Sequence, residues 1–277
     1  MSGVLHIVST PVGNLDDITR RALAVLAEVD AVAAEDTRHT GRLLDELGIR
    51  QNLISYHDHN EQERTPQLLE RLQRGDNLAL VSDAGTPLVS DPGYRLVRAC
   101  HQAGIRVVPV PGASALLAAL VVAGLPTDRF VFEGFLPSKG SGRHVALRRI
   151  SESAVTSVIY EAPHRILTLL DELKEVVEPS REVVLCRELT KHFETVLPGS
   201  VGDIRDKVAA DSNQQRGEIV LLVAPAPAQV VDDAELARLA RLLLAELPAS
   251  RAAKVLAAWS GRKKNELYGW LESLSKE

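Results

Sequence analysis

The chain has 277 residues, 45% of them hydrophobic and 25% charged, a balance that suits a packed protein and excludes wholesale disorder. Two cysteines exclude a disulfide framework or a cysteine-rich zinc site, and no apolar run reaches the roughly 20 residues of a membrane span. With no signal-peptide layout at the N-terminus either, a cytoplasmic location is expected. The formal charge of −5 argues against generic nucleic-acid binding, but the charge is uneven. Residues 250–265 hold Arg251, Lys254, Arg262, Lys263 and Lys264 and no acid; residues 139–149 hold Lys139, Arg143, Arg148 and Arg149, again without one. Such runs are either solvated faces or local grips for a phosphate backbone.

In chain order, short apolar runs at 5–9, 30–35, 52–56, 77–82 and 106–110 read as strands. They alternate with helical spacing at 18–26, 40–47, 62–73 and 93–103. This alternation predicts a parallel sheet covered on both faces. An Ala-rich helix at 114–123 then leads to Gly124-Leu125-Pro126, read as a hinge. Beyond it, strands are expected at 130–135, 155–162, 182–189, 193–200 and 217–224, with a helix at 165–176. They form a second α/β domain with a mixed sheet. A Pro-Ala linker at 225–228 precedes helices at 234–247 and 251–259. The predicted organisation is an N-terminal α/β domain at 1–112, a C-terminal α/β domain at 113–225 and a helical extension at 226–277.

The chain lacks a phosphate-binding P-loop, a G-x-G-x-x-G turn after the first strand, a G-x-S-x-G elbow and an H-E-x-x-H helix. Ligands of open parallel sheets bind at the carboxyl ends of the strands, which directs attention to the segments found there. After the first strand, Pro11 and Gly13 shape a tight loop, and Asp16 or Asp17 is a candidate cap for the next helix. After the second come Glu35, Asp36 and Arg38, read either as substrate-positioning groups or as a local ion pair. After the third, His57-Asp58-His59 hints at a metal, but no further Cys/His cluster completes a shell.

The fourth strand ends in Ser82-Asp83-Ala84-Gly85-Thr86-Pro87-Leu88-Val89-Ser90-Asp91-Pro92-Gly93, with Ser-Asp-x-Gly twice. Asp91 reads as a helix cap with Pro92 at the first helical position. Asp83 caps nothing obvious and is placed to meet a ligand lying against bare backbone. The fifth strand ends in the small-residue turn Pro111-Gly112-Ala113-Ser114-Ala115, suited to an anion or an adenosine. Tyr160-Glu161-Ala162-Pro163-His164-Arg165 and Arg187-Glu188-Leu189-Thr190-Lys191 place polar groups at further strand ends.

Taken together, residues 9–19, 34–40, 82–93, 111–115, 132–140, 160–165, 187–195 and 216–221 resemble the tetrapyrrole methylase superfamily of S-adenosylmethionine (SAM)-dependent methyltransferases. The fourth loop has Ser82-Asp83-Ala84 where the tetrapyrrole branch carries Gly-Asp-Pro, and residues 252–268 are similar to the C-terminal segment of the branch that acts on ribosomal RNA. The resemblance implies two α/β domains with SAM in the cleft between them, within a homodimer. It implies 2′-O-methylation of a cytidine ribose in the decoding region of 16S ribosomal RNA. It also places the cofactor against Pro11, Ser82, Asp83, Ala84, Ser114, Ala115, Glu161 and Leu189.

A ribose hydroxyl is a poor nucleophile, so a base or hydrogen-bond acceptor is expected beside it; Glu35, Asp36, His57 and Lys191 are candidates by position. Arg38, Arg42, Lys139, Arg143, Arg148, Lys263 and Lys264 are candidates for RNA contacts, and no metal is expected. Two readings compete: a tetrapyrrole or other small-molecule methyltransferase on the same fold, and a metal-dependent hydrolase built on His57 and His59.

Overall fold

A computed structural model describes residues 2–227 and 233–274. Compact folding divides the chain into two units, Met1–Ala226 and Pro227–Glu277. The first contains two five-stranded sheets.

In the first sheet the strands β1 (Val4–Val8), β2 (Ala31–Ala34), β3 (Leu53–Ser55), β4 (Leu78–Val81) and β5 (Arg106–Val110) lie in the order β3-β2-β4-β1-β5. Every pairing is parallel. The strands read as continuous apolar runs because both faces are covered. Leu78 and Leu80 point to the face packed by Leu68 and Leu72 of α3 (Glu61–Arg74) and by Leu96 and Cys100 of α4 (Tyr94–Gln102). Ala79 and Val81 point the other way, onto Ala22 and Leu26 of α1 (Arg20–Glu28) and Leu44 of α2 (Thr37–Glu46). Each fully buried Leu on these faces contributes about 1.5–3 kcal/mol of transfer free energy.

The cap at α1 is Thr19, whose side chain accepts from Ala22 N; Asn14 caps a short 3-10 turn over Leu15–Asp17. Neither Asp16 nor Asp17 caps α1, because that turn intervenes. Asp91 does not cap α4 either: Gly93 is the N-cap residue and Tyr94 the first helical one.

The second sheet has the order β6-β7-β10-β8-β9, from β6 (Phe130–Phe135), β7 (Thr156–Glu161), β8 (Glu182–Arg187), β9 (Thr195–Ser200) and β10 (Ile219–Val223). Only β6 and β7 pair in parallel, with a register shift between Phe132 and Gly134; the other pairings are antiparallel. Ile159, Leu185 and Leu221 face α6 (Ser141–Glu152), α7 (Ile166–Val176) and α8 (Val201–Ala210). Val158, Val184 and Leu222 face α5 (Ala115–Val122).

Since α5 already packs on the second sheet, the junction between the halves lies at residues 111–114. Gly124, with φ 70°, sits just beyond α5 within the second half and is not a hinge between halves. The helices α6 and α8 were not expected. Arg143 of α6 is a further correction: its side chain is 4% exposed and pairs with Glu172 at 2.6 Å, so it cannot lie along an RNA backbone.

The second unit holds α9 (Asp233–Glu246), α10 (Ala249–Ser260) and α11 (Lys264–Leu274) around Leu236, Ala240, Leu256, Leu267 and Leu271. Gly261, with φ 69°, breaks α10 from α11. Of the linker predicted at 225–228, residue 228 lies outside the described residues.

Candidate active site

Three loops at the carboxyl edge of the first sheet are stitched together. Thr10, after β1, exchanges backbone hydrogen bonds with Gly85, after β4, at 2.8 and 3.1 Å. Ser9 Oγ meets Thr86 Oγ1 at 2.9 Å, and Thr86 Oγ1 donates to the Ala113 carbonyl after β5 at 2.9 Å. Gly85 takes φ 82° to make the turn; Leu88 and Ser90, at 72° and 68°, take left-handed conformations that L side chains resist. Such strain persists only where the surroundings enforce it, and it gathers at ligand sites.

These loops face β7 and β10 across a cavity of about 410 Å³. Its walls combine bare backbone at Ala84, Gly85, Ser114 and Ala115 with apolar Val12, Val89, Ile219 and Val220. Ser114, the N-cap residue of α5, lines the cavity, and its hydroxyl makes no cap hydrogen bond. The Tyr160 hydroxyl accepts from Leu116 N at 2.9 Å, tying β7 to the first turn of α5.

Four carboxylates, Glu35, Asp83, Asp91 and Glu218, line this cavity with the buried Glu161 behind its wall, and among the described residues no lysine, arginine or histidine lines it. Asp83 accepts from Asp36 N at 3.0 Å, while Asp83 N donates to Glu35 Oε2 at 3.4 Å. Burial, reinforced by the charge of Asp83, raises the Glu35 pKa. Burial pushes Asp91 up to about 6, against a hydrogen bond from Ser82 that lowers it.

Glu161 is fully buried: Arg165 Nε lies 3.0 Å from Oε1, Ala162 N donates to Oε1, and Arg143 Nη1 stands 3.7 Å from Oε2. A donor set rich in carboxylates, with bare backbone and apolar walls, fits a cation carrying a flat apolar body.

Asp91 yields a stability prediction. The folded protein binds its proton with a pKa of about 6, against 3.8 for the free side chain, so the acid form is favoured by folding. The penalty is absent below pH 3.8 and grows as pH rises through about 6. Asp91→Asn is expected to stabilise the ligand-free protein at pH 8 by about 1–2 kcal/mol, after discounting for water at the cavity mouth, and to do nothing at pH 4. Denaturant unfolding at both values checks this; equal shifts at both would refute it.

A second cavity, of about 340 Å³, shares Val12, Asp83, Ala84 and Glu218 with the first. It brings in Pro11, Gly13, Leu15, His39, Arg42 and Lys191. Lys191 Nζ lies 2.9 Å from Glu188 and 3.1 Å from Glu218, and these carboxylates raise its pKa against the effect of burial. Lys191 is thus an ammonium that donates, and it cannot serve as the base.

The other expected residues divide clearly. Glu35, Asp83, Ala84, Ser114, Ala115 and Glu161 come together in the first cavity, and Pro11 falls in the second. Ser82 and Leu189 line neither; Ser82 is buried beneath the loop with its hydroxyl 3.3 Å from the Ala84 carbonyl, and Leu189 is in the core against α5. Asp36 is occupied as the cap of α2 and as the partner of Arg38 at 3.1 Å, which hold its pKa at about 2. Its carboxylate is therefore too weak a base for a hydroxyl.

Arg38, Arg42, Lys139, Arg148, Lys263 and Lys264 are exposed. His57 turns Nε2 to the Asn60 amide at 3.2 Å, and the His57 and His59 rings are 6.0 Å apart. Among the described residues no three His, Cys, Asp or Glu side chains are grouped to hold a metal ion. The residues missed from sequence are Asp91, hidden by its resemblance to a cap, and Glu218, one residue outside an apolar strand.

The sequence model of the Tetrapyrrole (Corrin/Porphyrin) Methylases matches residues 4–205, and the chain belongs to that family of methyltransferases. A model described as the RsmI C-terminal HTH domain matches residues 230–275. The chain is 54% identical to the Ribosomal RNA small subunit methyltransferase I of Escherichia coli O157:H7, over 96% of this chain and 93% of that one. It is 53% identical to the protein of the same name from Pseudomonas aeruginosa, over 96% of each. Among solved structures, the methyltransferase CobJ superposes with a TM-score of 0.61 at 23% identity, over 83% of this chain and 97% of that one. A Thermus thermophilus uroporphyrin-III C-methyltransferase complexed with S-adenosyl homocysteine gives 0.56 at 19%, over 80% and 97%.

Proposed function

We propose that the first cavity binds SAM and that the protein methylates the 2′-hydroxyl of a cytidine in the decoding region of 16S ribosomal RNA within the small ribosomal subunit. The observation that carries this is the first cavity itself, four open carboxylates and no basic side chain around bare backbone, which suits a sulfonium ion with an adenosine body. The name shared by relatives at about half identity supports the RNA substrate. When bound, SAM supplies a methyl group on a cationic sulfur that is already a good leaving group.

The chain's own work is then alignment and proton removal. Backbone at Ala84, Gly85, Ser114 and Ala115 lets a flat body approach closely, and Asp83, Asp91 and Glu218 face its positive charge. Glu35, with its raised pKa, is the group suited to take the proton of the acceptor hydroxyl. The nucleotide must be splayed out of any helix to reach it.

The proposal extends to a cytoplasmic homodimer. Leu117, Val121 and Val122 of α5 and Phe130 and Phe135 of β6 are exposed, an apolar surface of the kind a second copy covers. Among the described residues, no helix is long and apolar enough to cross a membrane.

The test is transfer of labelled methyl from SAM to small subunits that lack the modification, with the modified nucleotide mapped. Label at one cytidine ribose supports the reading; no transfer, or transfer to a porphyrin instead, overturns it. The C-terminal unit has its own core and carries exposed Lys263 and Lys264. A chain ending at Ala226 is therefore expected to keep its S-adenosylhomocysteine affinity within about twofold while losing roughly tenfold or more for small subunits. Calorimetry and filter binding check this, and equal loss of both would overturn the division of labour.

A further inference from the structure

We propose that the second cavity seats the acceptor nucleotide, with Arg42 of α2 holding its phosphate and the Lys191 ammonium orienting its ribose; this rests on the methyl-transfer reading above. The two cavities share the wall formed by Val12, Asp83, Ala84 and Glu218, so a group in the second is one side chain away from the first. At about 340 Å³ it falls in the size class of small-molecule sites.

The two differ in charge. The first presents only acids. The second adds His39, Arg42 and Lys191 against Glu46, Asp83 and Glu218. Lys191 is already committed to Glu218 and Glu188. Arg42 is exposed and makes no ion pair or side-chain hydrogen bond among the described residues, although Glu46 follows it by one helical turn. An uncommitted guanidinium at the mouth of a cavity is the group that a phosphodiester recruits, through a two-pronged charged hydrogen bond. The acids deeper in would repel a free anion, so the phosphate belongs at the mouth and the uncharged ribose within. Pro11, Val12 and Leu15 offer an apolar surface for the base.

Lys191 lies in the cavity by construction. Its stem crosses Gly13 so closely that a Cβ there would stand 2.3 Å from Lys191 Cγ. The loop that carries it holds Glu188 and Thr190 at φ 51° and 68°, a conformation retained only under constraint. A donor fixed in this way directs a hydroxyl's lone pair and leaves proton removal to another group.

The experiment uses full-length protein with small ribosomal subunits. Arg42→Glu is expected to lower kcat/KM for subunits by roughly 30-fold or more, a charged hydrogen bond being worth that much. Its S-adenosylhomocysteine affinity should stay within about twofold, and Arg42→Lys, which keeps the charge but not the fork, should recover only part of the loss. As a readout independent of turnover, Leu15→p-benzoylphenylalanine, loaded with S-adenosylhomocysteine, should photocrosslink to the target cytidine or its neighbour. Wild-type turnover in Arg42→Glu, or crosslinks that miss that nucleotide, overturns the seat. Absence of methyl transfer by the wild-type protein overturns the functional reading instead.

Discussion

Arg143→Met is expected to destabilise the protein by about 3 kcal/mol, at the lower end of the range for breaking a buried ion pair. For a unit of this size that corresponds to a fall in Tm of about 6–12 °C. The guanidinium joins α6 to α7 through Glu172, to the Pro137 carbonyl at 3.0 Å, and to the Glu161 carboxylate at the cavity wall. Methionine fills the space and supplies none of these bonds. Glu172 can turn to water, but Glu161 cannot: its side chain is fully buried and keeps only Arg165 as an ionic partner. A second consequence follows, because Glu161 loses its fixed position and affinity for S-adenosylhomocysteine should fall as well. Thermal unfolding and calorimetry measure the two effects. A loss below 1 kcal/mol would mean that the side chain is not committed to this network.

Glu35→Gln is expected to reduce turnover by about 10²–10⁴-fold, the range for a positioned base. Binding of S-adenosylhomocysteine should change little. The pH profile carries the sharper test. A base works when deprotonated, and both burial and the Asp83 charge raise the Glu35 pKa. Turnover by the wild-type protein should therefore fall as pH drops through that raised value, and the residual turnover of Glu35→Gln should not follow it. A wild-type-like acid limb in the variant would assign the proton to another group.

The parallel sheet was legible because β2 and β4 are buried on both faces and spell apolar runs, and because helical spacing filled the intervals. The strand-end rule then located Glu35, Asp83 and Ser114 without any knowledge of the second sheet. Other elements had weaker signals. α6 begins in a Gly-Ser-rich segment with basic residues, so it read as a surface run, and α8 follows β9 with only Ser200 as a boundary.

Sequence could not separate equivalent side chains. Asp83 and Asp91 sit in the same Ser-Asp-x-Gly pattern, and Asp91 followed by Pro92 is an ordinary helix start; only the left-handed turns at Leu88 and Ser90 bring it back to the cavity. Arg143 and Arg148 are likewise indistinguishable by composition, yet one is sealed beneath α7 and the other faces water, because helical phase decides it.

The two thiols offer a way to watch the halves of the first unit separately. Cys100 lies in the core of the first sheet and Cys186 in that of the second, and burial pushes them up to about 11 and about 12. Neither is nucleophilic while its core is closed, so alkylation must wait for a local opening. The labelling rate at each cysteine thus clocks the breathing of one sheet, and a ligand bridging both sheets should slow the two clocks together.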